Sequence, residues 1–434
     1  MSIQLAEVKL WGRTIGAVSL VEGSDYTSFE YHPDFIRSSN VEVAPLMMPR
    51  KEGVYRFPNL SLNTFHGLSG LLADSLPDKF GTALIDAWLA TQGRKAGSFN
   101  VLERLCYIGT RGMGALEFVP ATGPGLQPSK KLEIAHLVHL ASEILTNRIG
   151  LKTSFKNKEA AFNDILRIST SAGGARAKAL IAWNPKTHEV RSGQLQAGDG
   201  FEQWLIKFDG VTHNRDKEGD DPKGYGAIEY AYYLMATAAG ISMNECRLEE
   251  EGGRHHFMTR RFDRLPSGEK LHMQSLGALG HFDFNLPGAT SYEQAFMVLR
   301  QLGLPASARE ELFRRMTFNI VARNHDDHVK NTAFLMDQQG AWSLAPAFDV
   351  TYSFNPDGAW TGSHQMSMNG KRENFLKEDF EACAKNALLK RGRAAEITEK
   401  VIAAVKQWPK FAAKAKVPAV WKKLIKENHC VNIR

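Results

Sequence analysis

The hydrophobic pattern of the chain changes near residue 263, and this change constrains the fold more than any other feature. Before it, short apolar stretches typical of strands, such as EQWLIKF at 202–208, alternate with helical ones, such as AIEYAYYLMATAAG at 227–240. After it, the periodicity is mostly helical. A mixed half followed by a helical half predicts two lobes, and ligands commonly bind in the cleft between such parts.

Finer patterns divide the first half again. We predict a hairpin over IQLAEVKLW and TIGAVSLV, helices within 58–95 with Pro77 near a helix start, and a helix from Ile134 to Leu145. The stretch ATGPGLQPSKK is rich in Pro, Gly, Ser and Lys, which is typical of a linker. The predicted parts are an N-terminal subdomain at 1–125, a mixed α/β lobe at 150–262 and an all-α lobe at 263–434.

Composition excludes several classes of protein. The 4 cysteines form no CxxC pair, so neither a zinc knuckle nor a disulfide framework is indicated. No apolar stretch approaches the roughly 18 residues of a membrane span, and no signal peptide is recognisable, so we expect a cytoplasmic protein without membrane contact. The net charge of +7 permits contact with nucleic acid but does not require it.

The densest chemical signal is RNHDDHVKN at 323–331, followed by APAFDV at 345–350. In kinases, D-x-x-x-x-N spacing places an aspartate to accept a hydroxyl proton and an asparagine to bind Mg²⁺, and a later aspartate supplies the second metal ligand. Asp326, Asn331 and Asp349 have this order and spacing. Hard oxygen ligands of this kind suit Mg²⁺, which neutralises charge on a transferred phosphoryl group.

Three upstream features agree with this interpretation. A glycine turn, STSAGGARAK at 169–178, lies between two predicted strands, Lys207 lies on a hydrophobic strand, and Glu229 begins the next helix. A strand lysine held by a helix glutamate over the α- and β-phosphates is the other half of a kinase site. Each feature alone could be a hairpin turn, an edge-strand lysine or a surface glutamate. Their joint occurrence in this order favours ATP binding.

Other functions remain open at this stage. The His and Asp residues of HDDH could bind the metal of a hydrolase, although that leaves Asn331 and Asp349 unexplained. A small-molecule phosphotransferase of the antibiotic type would share the aspartates. A non-catalytic corepressor is the third alternative, but it would not need the complete set of kinase residues.

At these residues the sequence resembles the HipA family of serine/threonine kinases, the toxin halves of bacterial toxin–antitoxin pairs. FPNLSLNTFHGLSGLLADSLPDKFG and ERLCYIGTRGMGALEFVP are similar to its small N-terminal subdomain. STSAGGARAKALI resembles its phosphate loop, EYAYYLMATAAGI its glutamate helix and RRFDR its hinge, while NHDDHVKN and APAFDV resemble its catalytic and metal loops. The resemblance implies an α+β, two-lobed HipA-like kinase fold.

The resemblance also implies a role for individual residues. Asp326 would be the catalytic base, Asn331 and Asp349 the Mg²⁺ ligands, and Ser171 the autophosphorylated serine. Arg176 stands where some members of the family have Gln. The residues expected to contact ATP lie in the phosphate loop, its lysine–glutamate pair, the hinge and the two later loops: Gly173, Gly174, Ala175, Arg176, Ala177, Lys178, Lys207, Glu229, Arg260, Arg261, Phe262, Asp263, His328, Val329, Lys330, Asn331, Phe348 and Asp349.

The same resemblance implies partners. They are a HipB-type helix-turn-helix antitoxin, operator DNA reached within that complex, and a protein substrate such as an aminoacyl-tRNA synthetase. In SMNGKRENFLKEDF at 367–380, Lys371 and Arg372 lie in a turn that could reach a phosphate backbone. The alternative is a solvated loop whose charges pair with Glu373 or Glu378.

Overall fold

The computed structural model describes residues 2–123, 131–146, 176–193, 198–211, 215–216, 219–220 and 224–433. Its first part is built on an antiparallel sheet of five strands in the order β4-β3-β2-β1-β5. The strands are β1 Leu5–Leu10, β2 Arg13–Leu20, β3 Thr27–Tyr31, β4 Val54–Tyr55 and β5 Leu116–Val119.

The predicted N-terminal hairpin is confirmed. Leu5 lies opposite Ser19, and Leu10 opposite Arg13, so the turn is only Trp11 and Gly12. Gly12 has a φ of +76°, which glycine adopts without steric cost. Alternate residues of β1 point into the first core because side chains of a strand alternate between its faces.

Five helices complete this part, and the predicted helices within 58–95 are among them. The helix Lys79–Thr91 follows Pro77 as expected, and the carboxylate of Asp78 caps it by accepting a hydrogen bond from the Gly81 amide at 2.6 Å. The helices are Pro33–Ser38, Leu62–Phe65, Gly70–Ala73, Lys79–Thr91 and Val101–Ile108.

A second antiparallel sheet forms the middle of the molecule, with strands in the order β11-β12-β8-β6-β7. The predicted helix near 134–145 is confirmed as Ile134–Thr146, and it packs with the helix Lys79–Thr91 against one face of this sheet. The strands are β6 Lys178–Trp183, β7 Val190–Ser192, β8 Glu202–Lys207, β9 Arg215–Asp216, β10 Gly219–Asp220, β11 Cys246–Glu251 and β12 Arg254–Arg260, with β9 and β10 paired separately.

The helix Tyr225–Ala238 joins the second sheet to the last part. Its residues are apolar on nearly every side, and it is buried between β12 and the C-terminal helices. Its final turn ends at Gly240, whose φ of +88° suits the residue after a helix.

The C-terminal part is mainly helical, but the prediction that it is all-α needs a correction. Strands β13 His272–Ser275, β14 Ala333–Met336 and β15 Trp342–Leu344 form a three-stranded antiparallel sheet. These strands have only three or four residues, too few to establish an alternating pattern in the sequence. The helices are Leu276–Gly280, Tyr292–Gln301, Ala306–Val321, Lys377–Asn386, Arg393–Val405, Trp408–Lys414 and Ala419–Asn428. In the described ranges, none of the helices has the length and apolar character needed to cross a membrane.

Candidate active site

A cleft of about 1210 Å³ opens where the first part, the second sheet and the C-terminal part meet. Its walls include Asp78 from the first part, Lys207 from the second sheet and Asp326 from the C-terminal part. Residues that are far apart in the sequence therefore face one volume.

Lys207 lines this cleft from the second sheet. It ends β8, where it lies opposite Lys178 on β6 and Phe257 on β12. Its ammonium is 2.5 Å from the carboxylate of Glu229 and also contacts the carboxylate of Asp349. The predicted pairing of the strand lysine with the helix glutamate is thus present, and Lys207 adds a direct link to the C-terminal part.

Lys207 and the carboxylates around it stabilise each other's charged forms. Burial alone would lower the pKa of Lys207, but the carboxylates of Asp349 and Glu229 outweigh it, and the pKa is raised. Burial would raise the pKa of Asp349, but Lys207 and then Lys178 hold it below its usual value. Lys207 and Asp349 are therefore both charged at neutral pH.

Asp349 has an unusual backbone conformation. Its φ of +52° lies in the left-handed region, which aspartate tolerates better than most residues other than glycine. The loop before it is anchored by the Ala347 amide, which donates to the Ser242 carbonyl at 2.8 Å. Such conformations persist where the surroundings hold them, and they cluster at functional sites.

The loop 323–331 places Asp326 and Asn331 side by side. The side-chain amide nitrogen of Asn331 donates a hydrogen bond to the backbone carbonyl of Asp326 at 2.8 Å. The indole N–H of Trp360 donates to Oδ1 of Asp326 at 2.7 Å, and Nε2 of His328 lies 3.7 Å from the same oxygen. The carboxylate of Asp326 is therefore held from a segment more than thirty residues further along the chain.

The neighbouring Asp327 points into the protein interior. Its carboxylate accepts hydrogen bonds from the Tyr292 hydroxyl at 2.7 Å and from the Gln365 amide at 2.8 Å, and it lies 2.9 Å from Nδ1 of His364. Burial would raise the pKa of Asp327, but His364 and the other donors lower it. Asp327 thus anchors the segment after Asp349 beneath the loop.

This arrangement disfavours a hydrolase metal site at HDDH. Asp326 and His328 line the cleft, whereas Asp327 and His325 are buried, so the four side chains do not converge. Within the described part of the chain, no group of three or more His, Cys, Asp or Glu side chains is arranged to hold a metal ion.

Asn331 and Asp349 are better suited to hold a magnesium ion than the His and Asp side chains of HDDH. Both line the cleft, and the amide nitrogen of Asn331 is already committed to the Asp326 carbonyl, so its amide oxygen is the atom left for a cation. A carboxylate and an amide oxygen are hard ligands, and Mg²⁺ sites that also hold nucleotide phosphates commonly use only one or two protein carboxylates.

Comparison with known proteins decides the family. Residues 170–408 match the HipA-like C-terminal domain, and residues 6–119 match the HipA N-terminal domain. The chain belongs to the HipA family. The resemblance seen in the sequence is therefore confirmed over both parts of the chain.

Individual relatives agree with this assignment. HipA of Shewanella oneidensis MR-1, solved with HipB and operator DNA, has 16% sequence identity, a TM-score of 0.67 and coverage of 97% of this chain and 96% of its own. At that identity the likeness shows the fold, and it confirms the two-lobed HipA-like architecture. "Putative kinase Y4mE" of Sinorhizobium fredii is 28% identical over 136 residues, which are 29% of this chain and 32% of that relative. The kinase CtkA of Helicobacter pylori, with a TM-score of 0.34, is too distant to bear on the fold.

The predicted hinge, 260–263, follows the end of β12, and its residues differ in their position relative to the cleft. Arg260, Arg261 and Phe262 line the cleft, and the ring of Phe262 packs on that of Phe348 with 5.5 Å between centroids. Asp263 does not line it. Its fully buried carboxylate binds Arg261 and Arg264 and accepts a hydrogen bond from the Gly114 amide at 2.7 Å. This geometry makes Asp263 a link to the N-terminal subdomain, and its expected contact with ATP has no support from its position.

The predicted phosphate loop, 169–178, is described only from Arg176 onwards. Gly173, Gly174, Ala175 and Ser171 lie outside the described residues. The guanidinium of Arg176 lies over the Tyr225 ring at 3.4 Å and 4.0 Å from Glu229. Ala177 is buried and, like Val329, does not line the cleft.

Two cleft residues, Asp78 and Trp360, were not predicted from the sequence. Asp78, which caps the helix Lys79–Thr91, forms a buried ion pair of 2.9 Å with the predicted site residue Lys178. Trp360 lies in an irregular segment, and nothing in its local sequence indicates a bond to Asp326. The predicted helix start near Pro77 gave the position of Asp78 in the fold, but its ion pair depends on the tertiary structure.

Lys371 and Arg372 lie away from the cleft. The ammonium of Lys371 pairs with Asp379 at 2.8 Å, a different partner from the predicted Glu373 or Glu378. The guanidinium of Arg372 donates to the His364 carbonyl at 2.6 Å. Contact with DNA through this turn stays a prediction.

Proposed function

We propose that this HipA-family protein is an ATP- and Mg²⁺-dependent serine/threonine protein kinase. One observation carries the proposal: Lys207 contacts both Glu229 and Asp349 within the cleft that Asp326 also lines. A strand lysine held by a helix glutamate, together with an aspartate base and a later metal-binding aspartate, is the set of parts that protein kinases use.

In this proposal each residue has one task. Lys207 binds phosphate oxygens of ATP, and Glu229 holds the lysine in place. Asp326, oriented by Trp360, accepts the proton of the acceptor hydroxyl. Asn331 and Asp349 hold Mg²⁺, which when bound offsets the negative charge of the transferred phosphoryl group.

The biology proposed with this activity is that of a toxin in a toxin–antitoxin pair. The solved HipA of Shewanella oneidensis forms a complex with HipB and operator DNA, which supports a HipB-type antitoxin and DNA as partners here. We also propose a cytoplasmic location and a translation component, such as an aminoacyl-tRNA synthetase, as the substrate. Growth arrest on expression, relieved by a helix-turn-helix protein encoded beside this one, is the measurement that checks the pairing.

Autophosphorylation at Ser171 would regulate the enzyme. A phosphoserine adds about −1.5 to −2 charge, which would compete with ATP for the glycine loop beside it. Mass spectrometry of the wild type and of Asp326→Asn, expressed without other kinases, tests this. Phosphate on Ser171 in Asp326→Asn would contradict self-modification.

The activity itself is tested by Asp326→Asn. We expect this variant to keep Mg²⁺-ATP binding, measured by thermal shift, and to lose transfer of labelled phosphate by about 10²–10⁴-fold, the usual contribution of a general base. Asp357→Asn is the matched control, because Asp357 is an exposed aspartate on the segment that also carries Trp360. Transfer by Asp326→Asn at near the wild-type rate would contradict the proposed function.

A further inference from the structure

The cleft is larger than a nucleotide alone requires, and one of its walls is rich in positive charge. Its volume of about 1210 Å³ exceeds the roughly 300–1,000 Å³ that is typical of small-molecule sites. His66 and Arg104 line it from the N-terminal subdomain, and Lys330 lines it from the catalytic loop. This group of three, His66, Arg104 and Lys330, is called the basic wall below.

A continuous set of contacts joins the basic wall to the catalytic loop. The ammonium of Lys330 lies 4.7 Å from the centre of the Phe284 ring, and that ring lies 5.7 Å from the ring of His328. The next residue, Asn285, donates to the Thr64 hydroxyl at 2.9 Å. Thr64 belongs to the helix Leu62–Phe65, and His66 is the C-cap residue of this helix. The wall is thus held beside Asp326, which lies 3.7 Å from His328.

Arg104 and Lys330 supply the positive charge of the basic wall. Within the described ranges, neither Arg104 nor Lys330 forms an ion pair. Neighbouring carboxylates are engaged elsewhere: Asp74 accepts hydrogen bonds from Ser275 at 2.6 and 2.9 Å, and Asp78 pairs with Lys178.

The titration of His66 agrees with this distribution of charge. Burial, followed by the positive charges of Arg104 and Lys330, lowers the pKa of His66. Two cations that line one cleft, with no ion-pair partner among the residues that the structure describes, create a favourable place for an anionic group.

We infer that the basic wall is the acceptor subsite of the cleft and that it selects a peptide with acidic side chains beside the hydroxyl to be phosphorylated. This inference rests on the proposed kinase function and names the class of its substrate.

We assign the basic wall to the acceptor and not to the nucleotide, which reassigns Lys330, a residue expected from the family resemblance to contact ATP. ATP phosphates have their own cations in the second-sheet part of the cleft, where Lys207 and Lys178 lie on adjacent strands and Arg176 lies close to Glu229. Arg104 belongs instead to the N-terminal subdomain, on the helix Val101–Ile108. A carboxylate of the acceptor bound there would lie on the same side of the catalytic loop as Lys330.

The test uses the full-length protein and a library of serine-centred peptides in which one flanking position at a time is Glu, Gln or Lys. We expect the wild type to prefer Glu over Lys by about tenfold or more in kcat/KM, and the preference should weaken as salt is added. Arg104→Glu should reverse the preference towards Lys, and Arg104→Lys should retain it. Arg37→Glu is the matched control, since Arg37 is an exposed arginine on the surface of the same subdomain.

Binding measured without transfer separates the two proposals. A fluorescent Glu-flanked peptide with Ala in place of the serine should bind the wild type several-fold more tightly than it binds Arg104→Glu. Phosphorylation with no preference among the flanks, and equal binding by both proteins, would overturn the acceptor subsite and leave the kinase proposal standing. Charge-dependent binding with no transfer to any peptide would support the subsite and contradict the kinase proposal.

Discussion

At the scale of single residues, the site depends on side chains that are held from a distance. Asp326 is oriented by the indole of Trp360, and Lys207 is held by carboxylates from two different parts of the fold. In each of these contacts, the residues that touch are far apart in the sequence. A catalytic group held in this way needs no reorganisation when the reaction occurs, which is where much of an enzyme's rate enhancement originates.

Trp360 is therefore expected to be a positioning residue. Trp360→Phe keeps an aromatic ring but removes the N–H that binds Asp326, so we expect kcat to fall about tenfold, the loss that corresponds to about 1.4 kcal/mol, while the KM for ATP changes little. Steady-state kinetics measure both constants. Trp342→Phe is the control, because the Trp342 indole also donates a hydrogen bond, to the Glu42 carbonyl at 3.3 Å, but does not line the cleft. A change confined to KM would show that Trp360 acts on binding instead.

At the scale of elements, one buried ion pair and one buried hydrogen bond to a carboxylate join the N-terminal subdomain to the rest of the protein among the described residues. The helix Lys79–Thr91 is tied to β6 by Asp78 and Lys178, and the segment before β5 is tied to the end of the hinge by Asp263. Buried pairs add little net stability compared with apolar packing, but they are costly to break. They specify which elements meet, and here they fix two of the cleft walls against each other.

Asp263→Asn is expected to be strongly destabilising. It leaves Arg261 and Arg264 without their carboxylate in a fully buried position, and breaking such a group costs about 3–5 kcal/mol. Chemical denaturation measures the free energy of unfolding. Asp34→Asn, which breaks the exposed pair with Arg37, should cost less than about 1 kcal/mol. Equal losses in the two variants would contradict the structural role of Asp263.

At the scale of the whole molecule, stability should fall on acidification. Burial keeps several histidines neutral by lowering their pKa values: to about 4 for His256 and His281, and to about 3 for His272, His325 and His429. Two of these rings also accept hydrogen bonds from backbone amides, His256 from Asp209 and His281 from Gly70, both at 3.0 Å. A protonated nitrogen could not accept those bonds.

The sign of the effect follows from proton binding. The unfolded chain binds protons at these histidines near their ordinary pKa of about 6.5, whereas the folded chain resists until the pKa of the buried group, so acid favours unfolding. Each group lowers the free energy of unfolding by up to about 1.4 kcal/mol per pH unit in this window. This loss of stability is therefore absent above about pH 6.5 and grows as the pH falls, towards about 4 for His256 and His281 and towards about 3 for His272, His325 and His429.

His256→Asn isolates one of these contributions. Asparagine can still accept the Asp209 amide but does not titrate, so the free energy of unfolding should depend less steeply on pH between about 6.5 and 4. Denaturation curves at several pH values give the slope, and His136→Asn, at a solvent-exposed histidine, is the control. A slope that is identical to that of the wild type would contradict the neutral state of His256.

Local patterns were sufficient to identify much of this protein. The alternation in β1 and β2, the apolar faces of the helices Lys79–Thr91 and Ile134–Thr146 and the family motifs all depend on neighbouring residues, and the confirmed elements come from them. The spacing of Asp326, Asn331 and Asp349 was informative for the same reason, because one short loop and one strand pair hold these residues together.

The tertiary structure alone decided the rest. The ion pair of Lys178 with Asp78, the burial of Asp263, the Trp360 bond to Asp326 and the pairing of β13 with β14 all depend on contacts between segments far apart in the chain. A charged side chain has the same letter in the sequence whether it faces solvent or a buried partner. Which of these occurs is decided by the chain packing that brings the partner within about 3 Å and removes the water between them.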